Sequence, residues 1–280
     1  MNFDNIQKHI SRIGASAASL LKVALMSKAV GSRVKPQPGK SIVIMGNGPS
    51  LRATIDNDGE WLCSHDLMAV NFAANTPDFF NLRPNNYILA DGHFFSGNDT
   101  DSNVRRLWQE LRKVSWDMTL WVPVKFLHLA KGFTTGVSRI QLKTFNLTPV
   151  EGNRSLVHML YDAGLGMPRP RNVLVPAIMV AIREGYSKIF LCGADHTWTR
   201  TLSVDDENFV VSVQPHFYED NKKEHERERA AYAGLHLHDV LGSMTTAFRS
   251  YWHIRDYADR RGVEIINATP GSMIDAFPRH

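Results

Sequence analysis

Cysteine is almost missing from this chain: Cys63 and Cys192 are the only two among 280 residues. So few, set so far apart, leave no room for a disulfide framework or a cysteine zinc site, and they point to a reducing compartment. Also missing is any apolar run long enough to span a bilayer. The apolar stretch near the start is too short and too interrupted for a secretory signal, and no cleavage pattern follows it. The formal glycosylation sequons at Asn98, Asn146, Asn153 and Asn267 are therefore read as chance. No block of like charge marks a nucleic-acid surface, because the net excess of +4 is spread along the chain. An anionic substrate or an anionic lipid surface would explain that excess equally well. Internal repeats and low-complexity tracts are absent too.

What remains is an ordinary globular composition, 43% hydrophobic and 21% charged, in a chain long enough to bury a sizeable core. The stretch from Ser41 to Leu51 stands out. Ser41-Ile42-Val43-Ile44-Met45 reads as a short apolar strand running into the turn Gly46-Asn47-Gly48-Pro49-Ser50. Pro49 would stiffen the entry to a helix and Ser50 would cap it. Glycines let backbone approach a ligand, and free N–H groups at a helix start attract anions, so the turn is a candidate phosphate cradle. It is neither a complete Gly-x-Gly-x-x-Gly nor a Walker loop, and a plain strand-turn-helix fits the same residues.

Residues 5–30 predict a basic amphipathic helix or pair of helices, with Ile6, Ile10, Ile13, Leu20, Leu21, Val23, Leu25 and Met26 among Lys8, Arg12, Lys22 and Lys28. Gly31 and the Pro36/Pro38 linker end it, so residues 1–35 form a helical segment ahead of a single domain over 36–280. Two uses fit: the helix lies on an anionic membrane surface at the cytoplasmic face, or it packs on the domain or on a second subunit.

Beyond the first turn, Asp66 to Asn71 and Asn86 to Asp91 each read as an apolar strand with a polar residue at its carboxyl end. Three strands would thus deliver Asn47, Asn71 and Asp91 to one edge of a parallel sheet, where open α/β sheets bind ligands. A helix is expected over 103–114, strands over 118–122 and 139–145, and an apolar helix over 173–185 ending at a glycine. A buried strand follows at 189–192, and Gly193-Ala194-Asp195-His196 forms a second polar cluster at its end. Residues 196–240 read as an irregular, lid-like segment, with a charge run over 219–229 expected to be solvated. A helix over 244–261, a last strand over 263–266 and a turn over 267–272 complete the chain. The alternation predicts one doubly wound α/β domain, a mostly parallel sheet with helices on both faces.

The segments Gly46-Asn47-Gly48-Pro49-Ser50-Leu51, Cys192-Gly193-Ala194-Asp195 and Asn267-Ala268-Thr269-Pro270-Gly271-Ser272, with Asn71 and Gly185-Tyr186, resemble two related groups. One is the bacterial sialyltransferase family that builds lipooligosaccharide. The other is the Rossmann-like group of 6-hydroxymethylpterin diphosphokinases and motility-associated flagellin glycosyltransferases. The resemblance spans roughly residues 40–277, though only the short segments are specific. It implies a Rossmann-like fold and a cytidine nucleotide held by Asn47, Asn71 and, with a changed residue, Asp91. Gly46, Gly48, Pro49, Ser50, Gly193 and Asp195 would complete the nucleotide site.

Two departures bear on the donor. The family's Thr-Ser-Gly segment is replaced by Asn172-Val173-Leu174, which removes a serine ligand, and the tyrosines that hold the leaving phosphate are missing after Asp195. His196, Trp198 or Tyr218 could take that phosphate-holding role.

By the resemblance, transfer of a sugar from a nucleotide donor to a hydroxyl of a bacterial surface glycan needs a histidine base in the irregular segment. His216 is the first candidate and His196, beside Asp195, the second. No metal is required on this reading, although Asp99-Thr100-Asp101 spells an Asp-x-Asp motif of the kind other glycosyltransferases use. An ATP- and magnesium-dependent diphosphokinase is the alternative, with Asp91, Asp99, Asp101 and Asp195 as carboxylates. A non-catalytic nucleotide-binding protein is the third. The implied partners are a nucleotide sugar and a glycan or lipid-linked glycan acceptor, and a homo-oligomer is compatible with the exposed aromatics expected on several helices.

Overall fold

A computed structural model of the protein describes residues 3–97, 100–211 and 234–279. Seven parallel strands form one sheet: β1 (Gln37–Met45), β2 (Asp66–Val70), β3 (Asn86–Ile88), β4 (Met118–Pro123), β5 (Ile140–Phe145), β6 (Tyr186–Cys192) and β9 (Glu264–Asn267). Two short strands, β7 (Ser203–Val204) and β8 (Val210–Val211), pair antiparallel apart from it. The sheet order is β5-β4-β3-β2-β1-β6-β9. The chain winds outward from β1 to β5, then returns to the other side of β1 to lay down β6 and β9. Between β1 and β6 the winding reverses, which opens a crevice at their carboxyl ends.

Each strand splits its side chains between two cores, as a sheet covered on both faces must. Ile42 and Ile44 of β1 point to one face, against the helices Arg154–Asp162, Leu174–Arg183 and Leu237–Arg261. Val43 and Met45 point to the other, against the helices Ser50–Asn57, Gly59–Cys63 and Ser102–Leu111. Leu174–Arg183 is apolar all round, and nine of its ten residues are buried, so it is wedged between the sheet and the last helix. Pro176 sits in its first turn, where a missing N–H costs nothing. Gly185, at φ +82°, closes the connection to β6 where any Cβ would press on the Lys35 carbonyl.

Several expected boundaries move. The 103–114 helix is Ser102–Leu111, capped by Asp101, whose Oδ1 accepts from the Asn103 N–H at 2.8 Å. The 244–261 helix begins two turns earlier, at Leu237, because His236 and Asp239 form a reciprocal capping box ahead of it. The lid-like segment 196–240 is thus partly regular: it holds the turn Trp198–Thr201, the β7–β8 pair and the start of that helix. The helix Arg154–Asp162 has a signal that the expectation passed over. Asn153 accepts from the N–H groups of Ser155 and Leu156, and Val157, Leu160 and Tyr161 form the buried stripe behind it. Both cysteines are free, Cys63 exposed and Cys192 buried.

Among the described residues up to 35 there is one helix, Phe3–Met26, followed by a segment without regular secondary structure that leads into β1. Among the described residues no helix is long and apolar enough to cross a membrane.

Candidate functional site

The crevice between β1 and β6 holds a cavity of about 440 Å³. Its wall includes Gly46, Asn47, Gly48 and Pro49 after β1, Asn71 and Phe72 after β2, and Ala90, Asp91 and Phe94 after β3. Gly193, Asp195, His196, Thr197 and Trp198 after β6 face them, and Arg171, Asn172 and Leu174 close the cavity at the start of the Leu174–Arg183 helix. The three strand-end residues Asn47, Asn71 and Asp91 therefore meet, as the parallel-sheet argument expected. His216 and Tyr218 lie outside the described residues, as do Asp99 and the 219–229 charge run.

The glycines do different work from the one their spacing suggested. The Gly46 N–H donates to the Cys192 carbonyl at 2.7 Å, and the Gly48 N–H to the Gly193 carbonyl at 2.8 Å. These donors join two turns of the protein, so they are not an open anion cradle. A Cβ on Gly46 would strike the Gly193 carbonyl, and one on Gly48 would strike the Asp195 carboxylate. Gly193 adopts φ +63°, in the left-handed region, with the Gly46 carbonyl pressed against it. Ser50 does not cap its helix; its hydroxyl donates to Asp195 Oδ2 at 2.7 Å and ties the two turns together.

Asp91 is exposed at the rim, and its Oδ1 accepts from the His93 N–H at 2.8 Å, which shapes the next turn. Asp101, the described half of the Asp-x-Asp motif, divides its carboxylate between the Asn103 N–H and His93 Nε2, each at 2.8 Å. Among the described residues no three His, Cys, Asp or Glu side chains cluster as a metal site.

Against these engaged groups, two amides stand out. Five buried side-chain atoms lack a hydrogen-bond partner among the described residues, and three of them are Asn47 Oδ1, Asn47 Nδ2 and Asn172 Nδ2. Both asparagines line the cavity. Buried polar groups are nearly always paired, so these two amides are the unspent hydrogen-bonding groups among the residues that line the cavity.

Asn172 is oriented by its neighbours. Its Oδ1 accepts from the Leu174 N–H at 3.0 Å and from the Tyr251 hydroxyl at 3.0 Å, which turns Nδ2 away from both. Because Tyr251 donates to Asn172, the 2.6 Å contact between Tyr251 and His196 is a hydrogen bond donated by His196 Nε2. Burial pushes His196 down to about 3, so the imidazole is neutral near pH 7. His196 is thus a fixed donor in a relay from His196 to Tyr251 to Asn172, not a base poised near neutrality. Trp198 stacks on it with ring centroids 4.1 Å apart and carries the aromatic surface to the cavity. Phe72 and Phe94, edge to face at 5.0 Å, form an aromatic patch on the opposite wall.

Charge in the cavity is mixed. Arg171 is exposed on the wall and forms no ion pair among the described residues, beside the positive end of the Leu174–Arg183 helix dipole. Burial pushes the Cys192 thiol up to about 12, so it is no nucleophile. Asn172, Arg171 and Tyr251 were not singled out as site residues from sequence. The available signal for Asn172 was an asparagine immediately ahead of an apolar run, a helix-start pattern that says nothing about a ligand.

No family model matches the chain, and no curated protein matches it. Among solved structures, it is similar to the MAf glycosyltransferase from Magnetospirillum magneticum AMB-1, with a TM-score of 0.50 and 11% identity. The match covers 96% of this chain and 38% of that one, so the chain spans well under half of the neighbour's length. At that identity the likeness establishes a shared Rossmann-like α/β fold. A match to FabMG, described as a novel type of enoyl-acyl carrier protein reductase, has a TM-score of 0.23 and carries no argument.

Proposed function

We propose that the protein is a glycosyltransferase that takes a sugar from a nucleotide-activated donor and passes it to a hydroxyl of a bacterial surface glycan. A CMP-linked acidic sugar is the proposed donor. The observation that carries the proposal is the pair of unpartnered amides, Asn47 and Asn172, on two residues that line one cavity at the switch point of the sheet. Nucleobases and riboses offer both donors and acceptors, which an amide with two free ends answers. The fold shared with a glycosyltransferase supports the reaction class.

In the reaction, the acceptor oxygen bonds to the anomeric carbon while the bond from that carbon to the phosphate oxygen breaks. The nucleotide leaves with the electron pair, and a base takes the acceptor proton. Arg171, Asn172 Nδ2 and the amino end of the Leu174–Arg183 helix are the groups suited to meet the charge left on the phosphate. His216 is the proposed base on sequence grounds, since burial leaves His196 a poor proton acceptor and its Nε2 is spent on Tyr251.

Thermal unfolding with CMP, CDP, UDP, GDP and ATP, each with and without magnesium, tests this reading. A ligand at about a hundredfold excess over its Kd should raise Tm by roughly 5 °C. CMP should do so without magnesium, and His216→Ala should keep that shift while losing transfer. A shift only with ATP and magnesium would replace the transferase with a diphosphokinase, and no shift at all would remove the nucleotide site.

A further inference from the structure

The Phe3–Met26 helix is mounted the wrong way round for a helix that completes a core. Ser16, Ser19 and Val23 follow the three-four spacing of one helical face, and this face meets the domain. The Ser19 hydroxyl donates to the Glu151 carbonyl at 2.7 Å and accepts from the Glu151 N–H at 2.8 Å. Ser16 Oγ accepts from the Asn153 N–H at 2.9 Å, and Gly152 leaves the space for it. Just past the helix, Ser27 Oγ lies 2.7 Å from Thr148 Oγ1 and 2.6 Å from the Leu165 carbonyl oxygen. Small polar contacts thus hold the helix down.

Its apolar residues point away. Ile10, Ile13, Ala17, Leu20, Leu21 and Ala24 follow the same spacing on the other face, and Leu25 lies at its edge. Ile10 is 65%, Ile13 59%, Leu21 62% and Leu25 76% exposed, so these large side chains are left in water as one stripe. The surroundings are basic. Between Asp4 and Asp56 the chain has no acidic residue, while Lys8, Arg12, Lys22, Lys28, Arg33, Lys35 and Lys40 all fall there. The carboxylate beneath the helix, Glu151, is held by Arg169 at 2.8 Å.

We propose that this stripe is a membrane-docking surface that lies in the headgroup region of an anionic bilayer. An apolar stripe on a stretch of chain that carries several cations and, between Asp4 and Asp56, no carboxylate of its own fits an anionic lipid surface better than self-pairing. The helix is fastened to the loop after β5, at residues 146–152, and Leu147 of that loop lines the cavity. On the transferase reading, docking keeps the protein at the surface that carries a lipid-linked acceptor.

Co-sedimentation of the full chain with vesicles tests this directly. One set is phosphatidylcholine alone and the other is equal parts phosphatidylcholine and phosphatidylglycerol. Binding is expected to the anionic vesicles only, and to weaken as salt rises. The exposed pair Ile13→Asp with Leu21→Asp should lower it about tenfold or more, and Arg12→Glu with Lys28→Glu, at two exposed positions, should lower it separately. Both variants should keep the melting temperature and any nucleotide-induced shift of the parent, so failure here is separate from failure of the nucleotide site. Equal binding by the Asp pair, or none by the parent, would overturn the proposal. A dimer by sedimentation that the Asp pair dissolves would assign the stripe to a second copy instead.

Discussion

The turns after β1 and β6 lie against each other at one edge of the sheet, and they spend their polar groups in opposite ways. In Gly193-Ala194-Asp195-His196 the groups that matter are engaged: the Gly193 carbonyl holds the Gly48 N–H, Asp195 holds Ser50, and His196 holds Tyr251. In Gly46-Asn47-Gly48, the backbone is tied down just as firmly, yet the Asn47 side chain has no hydrogen-bond partner among the described residues. One turn fixes the geometry and the other keeps an amide open. A polar residue at a strand end thus becomes informative only after its local partners are counted.

Gly193→Ala should break the comparison outright. Its Cβ would sit 2.5 Å from the Gly46 carbonyl, at a φ of +63° that costs an alanine further strain. Together these predict a loss of about 3 kcal/mol, read from urea unfolding, with any nucleotide binding impaired as the two turns part. A stability within error of the parent would mean that the turns are not packed as described.

Asn47→Ala sharpens it. Removing an amide that has no partner should leave the ligand-free protein as stable as before or slightly more so, while nucleotide binding weakens by roughly ten- to hundredfold. Calorimetric titration alongside a melt separates the two effects. An unfolding loss without a binding loss would make Asn47 a structural residue like its neighbours. Ser50→Ala gives the smallest effect, about 1 kcal/mol, because it removes one hydrogen bond to Asp195 and leaves both backbone links in place. If its melt matched the parent, the tie between the turns would rest on backbone alone.

Much of the fold was legible because it rests on local patterns. Apolar runs of four or five residues ending in Gly, Asn or Asp gave β1, β2, β3 and β6, and these ends converge on the cavity. Boundaries set by side-chain caps were not, since the capping box of His236 and Asp239 adds two turns to a helix whose apolar stripe starts later. The site was legible in outline only. Asn47 was found through its turn, whereas Asn172 depends on Tyr251, 79 positions away in sequence, which in turn receives the proton of His196. His196 itself changes meaning on burial, from a residue that titrates near neutrality to a neutral donor.

Local sequence was enough to set a parallel α/β sheet and the edge where its polar strand ends gather, because strand and helix periodicity and glycine turns are properties of neighbouring residues. It also determined that the first helix is amphipathic and basic. Tertiary structure alone decided that Gly46 and Gly193 serve each other, that Asn172 spends its amide oxygen on Leu174 and Tyr251 and leaves its nitrogen unpartnered among the described residues, and that the helix shows its apolar face to water. Each of these depends on which distant groups share one dry space, and a hydrogen bond or a buried surface exists only once the second partner has been brought there.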